Sequence, residues 1–276
     1  MPEKPEVITV ARKLEKRLIG KTIKSIDIYH ENMIDYPSPK EIKKRIKNQT
    51  IHEITTRGKW IVMTLDDYYL LFHLRMEGKF FFRTSKDERG KHEHVIFNLD
   101  NDEQLRFADV RKFGKVMLIE KDKIYTMKPY TELGLEPWDK DLTSNYLKEK
   151  YSKKTLPIKS VLLDQSIITG IGNIYADEIL FLSRINPLTK AKDLTDKNRK
   201  DIIANTIKVL DKAIEEGGTT IRSYTSEEGV TGLFQNNLCV HQREKEECRV
   251  CKTPIIKIKV GGRGTYYCPK CQKERS

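Results

Sequence analysis

A chain of 276 residues with 52 Lys and Arg against 40 Asp and Glu, net charge +12 and pI near 9.3, is long enough to bury ample apolar surface in two domains. That charge points to a polyanionic partner, though a Lys-rich surface alone would give the same balance. No stretch approaches the roughly 20 apolar residues of a membrane span and the N-terminus lacks the apolar core of a signal peptide; the cysteine usage, a zinc-type spacing plus an odd thiol, fits a reducing cytosol.

The chain opens on Met1-Pro2-Glu3. Methionine before so small a residue is normally trimmed, which would leave Pro2 as a secondary amine, partly free base near neutral pH. Such an amine attacking an aldehydic or acetal carbon gives an iminium, an electron sink for elimination. Glu3 and Glu6 lie three residues apart on one face of a starting helix. The plain alternative is a helix-start proline with acids that suit the helix dipole. Val7, Val10, Ala11, Leu14 and Leu18 continue that helix to Gly20. From Thr22 to about Lys128 the pattern turns to strands, WIVMTL, YYLLFHL, KFFF, HVIFNL, QLRFADV and KVMLIE, separated by short polar turns. This spacing predicts an antiparallel β-sandwich or barrel. Pro129, Gly134 and Pro137 mark a linker.

After Trp138 the chain turns helical: LTSNYLKEKY, LPIKSVLLDQ, NIYADEILFLS and Asp196 to Glu216. Between two of these, SIITGIGN is short and Gly-rich. Asn173 is expected as the N-cap of the following helix, whose first amides would form a phosphate site; an ordinary helical hairpin is the competing reading. Cys248, Cys251, Cys268 and Cys271 then form two C-x2-C pairs sixteen residues apart. Four thiolates close a tetrahedron around one structural Zn²⁺ and leave no open position for catalysis. The stretch between them predicts a hairpin with Arg263 among glycines at its tip, flanked by Lys257, Lys259 and Lys270. Cys239 is a fifth, unpartnered thiol. The fold expected is α+β in two domains. They are an N-terminal helix with antiparallel β-sandwich over 1–130 and, after a linker over 131–142, a helix–two-turn–helix domain over 143–238 with a zinc finger over 239–276.

These pieces together resemble one family. PEKPEV, TRGKW around Lys59, HLRMEGK around His73 and Met76, FADVRKFG around Arg111 and Phe113, LLDQSIITGIGNIYADEILF and GGRGTYYCPKCQ are similar, in order and across the whole chain, to the formamidopyrimidine-DNA glycosylase/endonuclease VIII family. The resemblance implies a monomer with damaged double-stranded DNA held between the two domains, and no catalytic metal. It makes Pro2 the nucleophile at the sugar C1′, Glu3 the general acid and Glu6 an organiser of the site. Lys59, Asn173 and Arg263 become phosphate grips around the lesion; His73, Lys159, His241 and Lys257 become further DNA contacts. Met76, Arg111 and Phe113 become the residues that fill the void left by an extruded nucleotide.

Lys4, Ile8, Arg75 and His241 depart from the family's usual Leu, Glu, Gly and Tyr, which bears on substrate preference. The stretch EEGGTTIRSYTSEEGVTGLFQ resembles the base-capping loop of the formamidopyrimidine branch and implies oxidised purines, 8-oxoguanine and formamidopyrimidines, as substrates. Oxidised pyrimidines remain the alternative within the family. A non-catalytic zinc-finger DNA-binding protein remains the alternative outside it, and the Pro2-Glu3 terminus is the feature that separates the two.

Overall fold

The computed structural model describes residues 1–219 and 232–273. They divide into two compact units: Met1–Thr131, and Glu132–Thr219 with the chain from Gly232 on. Among the described residues no helix is long and apolar enough to cross a membrane.

The first unit begins with helix α1 (Lys4–Leu18), whose Val7, Ala11, Leu14 and Leu18 are buried at the three-to-four spacing of one helical face. The strands are β1 (Thr22–Ile28), β2 (Ile34–Tyr36), β3 (Gln49–Thr50), β4 (Glu53–Arg57), β5 (Trp60–Thr64), β6 (Tyr68–His73), β7 (Lys79–Thr84), β8 (Glu93–Leu99), β9 (Glu103–Ala108) and β10 (Lys115–Glu120). They form two five-stranded sheets, β3-β1-β8-β9-β7 and β2-β10-β6-β5-β4. The expected β-rich domain is therefore present, antiparallel except where β2 runs parallel to β10. Phe72 of β6 packs edge-on against Phe80, Phe97 and Phe107 of the other sheet, with ring centroids 5.0, 5.5 and 5.6 Å apart. Edge-to-face rings at this separation add about 0.5–1.5 kcal/mol per pair to the burial itself. The short helix α2 (Pro39–Arg45) was not anticipated; it is begun by the Ser38 hydroxyl accepting from the Glu41 amide with Pro39 at the first helical turn.

The second unit contains α3 (Ser144–Tyr151), α4 (Ile158–Leu162), α5 (Asn173–Leu182) and α6 (Asp196–Glu215), then the hairpin β11 (Ile256–Val260) and β12 (Arg263–Tyr267). Thr195 and Asn198 close a capping box at the start of α6. The turn between β11 and β12 places Gly261 at φ +55° and Gly262 at +78°, the two-residue geometry that suits tight hairpins. Of residues 131–142, read from sequence as a linker, those from 132 on belong to this unit. The Gly134 and Leu135 amides donate to the carbonyls of Gln165 and Ile167 at 2.9 and 3.1 Å, and Trp138 Nε1 donates to Asp211 at 2.8 Å. Pro and Gly there end the periodicity without freeing the backbone.

Candidate active site and DNA interface

In the first unit Pro2, Glu3 and Glu6 gather at the start of α1. The Glu3 amide donates to Glu6 Oε2 at 2.8 Å, and the two residues close a capping box that fixes where the helix begins. Glu3, Glu6 and Lys59 are all nearly buried. Burial holds the Met1 α-amino group below its usual range; Glu3 and Glu6 oppose that shift and Lys59 reinforces it. An amine poorer in protons is a better nucleophile at neutral pH. Lys59 sits in the β4–β5 turn beside Gly58. Lys4, one of the departures, is buried, and its Nζ donates to the Thr56 hydroxyl and carbonyl at 3.0 and 3.3 Å, fastening the start of α1 to β4.

A second group lines a groove of about 720 Å³ walled by Met1, His30, Asn32, Arg75, Met76, Arg111, Lys112, Phe113 and Lys115. Phe113 is 51% and Met76 38% exposed. Apolar side chains this open at the end of a buried strand are not core residues, and the expectation that they serve the partner needs that exposure. The loop that presents them is built by Asp109. Its buried carboxylate accepts from the amides of Arg111, Phe113 and Gly114 at 2.9, 2.9 and 2.7 Å. A Cβ on Gly114 would lie 2.7 Å from the Phe107 ring, so only glycine lets the loop sit this close to the core. The Arg111 guanidinium stacks over Phe113 at 4.8 Å. His73 closes β6 with its Nδ1 accepting from the Arg75 amide at 3.0 Å. Burial, then the charges of Arg75 and Lys59, lowers the His73 pKa to about 3. The ring is therefore neutral, with its proton on Nε2, a donor that carries no charge. Arg75 itself stands at φ +52°, a conformation that costs a side-chain-bearing residue about 1–2 kcal/mol.

In the second unit Asn173 is the first residue of α5 and Gly172 its N-cap. This moves the expected cap by one position; Asn173 Nδ2 donates to the Gly264 carbonyl in β12 at 3.0 Å. Its Oδ1 is buried without a partner among the described residues. Arg263 is exposed at the start of β12, and the Lys257 ammonium lies 5.3 Å over the Tyr266 ring. Lys159 is read from sequence as a DNA contact, yet its side chain has no exposed surface. Its Nζ pairs with Asp177 and donates to the Asn173 carbonyl at 2.9 Å. His241 is also buried, its Nδ1 2.7 Å from the other Asp177 oxygen and its ring 5.0 Å from Tyr266. The neighbouring Glu178 accepts from the amides of Cys239, Val240 and His241 at 2.7, 3.0 and 2.9 Å. Burial pushes its carboxyl up, and those three donors oppose the shift. Asp109, Asp177 and Glu178 were not singled out by sequence reasoning. The signal was there in NIYADEILFL, where two adjacent acids in an apolar helix require buried partners.

The four cysteine sulfurs lie within 4.8 Å of one another, with Cys248 to Cys271 at 3.9 Å and Cys251 to Cys268 at 3.4 Å. A tetrahedron with Zn–S of about 2.3 Å has edges of about 3.8 Å, so the set fits one structural zinc. Amides of Val250 and Cys271 point at the sulfurs of Cys248 and Cys268, both at 3.4 Å, which suits thiolates. Of the stretch read from sequence as a base-capping loop, residues 215–235, the part at 220–231 lies outside the described residues. Its two ends are placed: the Leu233 and Phe234 amides donate to the carbonyls of Glu216 and Gly218 at 3.0 and 3.1 Å. A Cβ on Gly232 would fall 2.1 Å from the Gly218 oxygen.

Comparison with known proteins matches residues 1–116 to the formamidopyrimidine-DNA glycosylase N-terminal domain, 133–225 to the formamidopyrimidine-DNA glycosylase H2TH domain and 245–273 to the zinc finger found in FPG and IleRS. The formamidopyrimidine-DNA glycosylase of Oceanobacillus iheyensis is 44% identical over 276 residues, covering 100% of this chain and 99% of that protein. Among solved structures, the Lactococcus lactis Fpg in complex with DNA containing an abasic site superposes with a TM-score of 0.92. MutM in complex with DNA containing carbocyclic 8-oxo-G superposes at 0.91. Each is 40% identical and covers 99% of this chain and 100% of its own.

Proposed function

This chain belongs to the formamidopyrimidine-DNA glycosylase family, and from that premise we infer a bifunctional glycosylase and abasic-site lyase of base excision repair. It acts on damaged double-stranded DNA, removes 8-oxoguanine and formamidopyrimidines, and nicks the strand by β,δ-elimination. The observation that carries the chemistry is the placing of Pro2 beside the bonded, buried pair Glu3 and Glu6 at the start of α1. With Met1 removed, the Pro2 nitrogen attacks C1′ while Glu3 delivers a proton to the ring oxygen and the damaged base departs. The resulting iminium draws electrons from C2′, and successive β- and δ-eliminations expel the two phosphates. Glu6, bonded to the Glu3 amide, keeps the acid in register. No step is routed through the zinc, which holds the hairpin.

Residues 1–130 carry this chemistry, and 143–238 with 239–276 carry the grip. Lys59, His73, Asn173, His241, Lys257 and Arg263 are assigned to phosphates, which position the duplex without reading its sequence. Lys159 is assigned a supporting part, holding Asn173 through its carbonyl. Met76, Arg111 and Phe113 replace the stacking lost on extrusion, offsetting a few kcal/mol. The enzyme works as a monomer in the cytoplasm, at the nucleoid if the source is bacterial.

The test is the mass of the purified chain together with borohydride trapping on an 8-oxoguanine duplex. A mass lacking Met1 and a covalent adduct are expected. Pro2→Gly should reduce trapping about a hundredfold or more, and Glu3→Gln should slow base release more than cleavage of a pre-formed abasic site. Equal trapping with a blocked N-terminus would remove the nucleophile assignment. Faster excision of thymine glycol than of 8-oxoguanine would move the substrate to oxidised pyrimidines.

A further inference from the structure

We propose that Arg75, which none of the assignments above includes, is a phosphodiester contact of the groove between Met76 and Phe113; this rests on the reading of that groove as a DNA surface. Three observations converge on it. The groove holds Arg75, Arg111, Lys112 and Lys115, and no carboxylate lines it. Two of these cations already have partners: Arg111 lies over Phe113, and Lys115 donates to the Asn32 carbonyl at 2.9 Å and lies 3.4 Å from Asp35. The guanidinium of Arg75 is exposed and has no hydrogen bond or ion pair among the described residues. A planar five-donor group left open in an acid-free groove suits a phosphate, which it binds bidentately.

The backbone agrees. Arg75 holds φ +52°, a region that glycine occupies without penalty. Its amide is directed at His73 Nδ1, 3.0 Å away, an arrangement that needs the turn but not the side chain. A side chain kept at a strained position without a hydrogen bond or ion pair among the described residues points to a use outside the folded protein. The arginine also lowers the His73 pKa. His73 then meets DNA as a neutral donor, and Arg75 supplies the charge at that end of the strand.

The substitution Arg75→Gly separates the two effects because they have opposite signs. On the zinc-loaded full chain, anisotropy with a tetrahydrofuran-containing duplex should show binding weaker by about tenfold. The slope of log K against log salt should fall by about 0.9, and the melting temperature should stay level or rise as strain is relieved. Arg75→Asn, which tolerates the left-handed region, should reproduce the loss of affinity without relying on glycine's flexibility, and Arg75→Lys should keep the salt slope. Unchanged affinity and slope in both the Gly and Asn variants would overturn the proposal. So would a loss that depends on the base opposite the lesion and leaves the slope intact, since that is base reading. Wild-type protein showing no preference for the lesion duplex over an undamaged one would overturn the reading of the groove itself, whatever the variants do.

Discussion

The Asp109 loop of the first unit and the Asp177 cluster of the second use carboxylates in opposite ways. Asp109 gives its oxygens to three backbone amides and leaves Arg111 and Phe113 pointing into solvent. Asp177 gives its oxygens to two side chains, Lys159 and His241, and buries both. The first arrangement shapes a surface, so a side chain projecting from it can be changed at little cost to the fold. The second joins α4, α5 and the segment before the zinc finger, so its groups are inseparable from stability. Function at the Asp109 loop is thus separable from folding, and at the Asp177 cluster it is not.

The sharpest break of that comparison is expected at the metal. Cys268→Ser, or prolonged chelation, should release zinc, unfold the β11–β12 hairpin and abolish binding to lesion DNA, because structural zinc binding contributes on the order of 10 kcal/mol. Metal analysis alongside anisotropy checks it; a zinc-free preparation with full affinity would contradict it. Next comes Asp177→Ala, which strands the buried Lys159 charge and should cost about 3–5 kcal/mol in denaturant unfolding. A loss under 1 kcal/mol would show that Lys159 finds another partner.

Smaller effects should fall on DNA alone. Phe113→Ala should weaken binding to a lesion duplex by about 1–3 kcal/mol, spare an abasic single strand that needs no stacking replaced, and leave the unfolding midpoint in place. A shifted midpoint would place Phe113 in the core after all. Smallest is Arg263→Ala, which should weaken binding in every sequence context and lower the salt slope by about one unit. Dependence of that loss on sequence would mean that Arg263 reads bases.

Sequence alone carried the fold where the physics is local. Strand alternation marked β5 to β10, the zinc spacing marked the finger, and helical periodicity marked α1, α3, α5 and α6. What it missed depends on partners distant in the chain. The parallel β2–β10 pairing leaves no periodic trace, and α2 is too short for one, although Ser38-Pro39 is a start signal. Lys159 looked like a surface cation because nothing within the sequence pattern of α4 announces Asp177 eighteen residues on. Asn173 was placed one residue early in the helix count, and its bond to the Gly264 carbonyl arises only once the hairpin has folded back. The site residues were named through the resemblance, which alone lifted Met76 and Phe113 above a core reading; the structure adds that both are exposed.

The closed neck at Glu216–Gly218 and Gly232–Phe234 has a bearing on how this protein can change over evolutionary time. The chain leaves and re-enters at one point, pinned by two backbone hydrogen bonds and by a glycine with no room for a methyl group. Whatever lies between is tethered at both ends to the same spot, so lengthening or rewriting it alters loop-closure entropy by only about 0.6 kcal/mol for each doubling of length. Exchanging residues 220–231, which lie outside the described residues, is therefore expected to leave the neck itself in place.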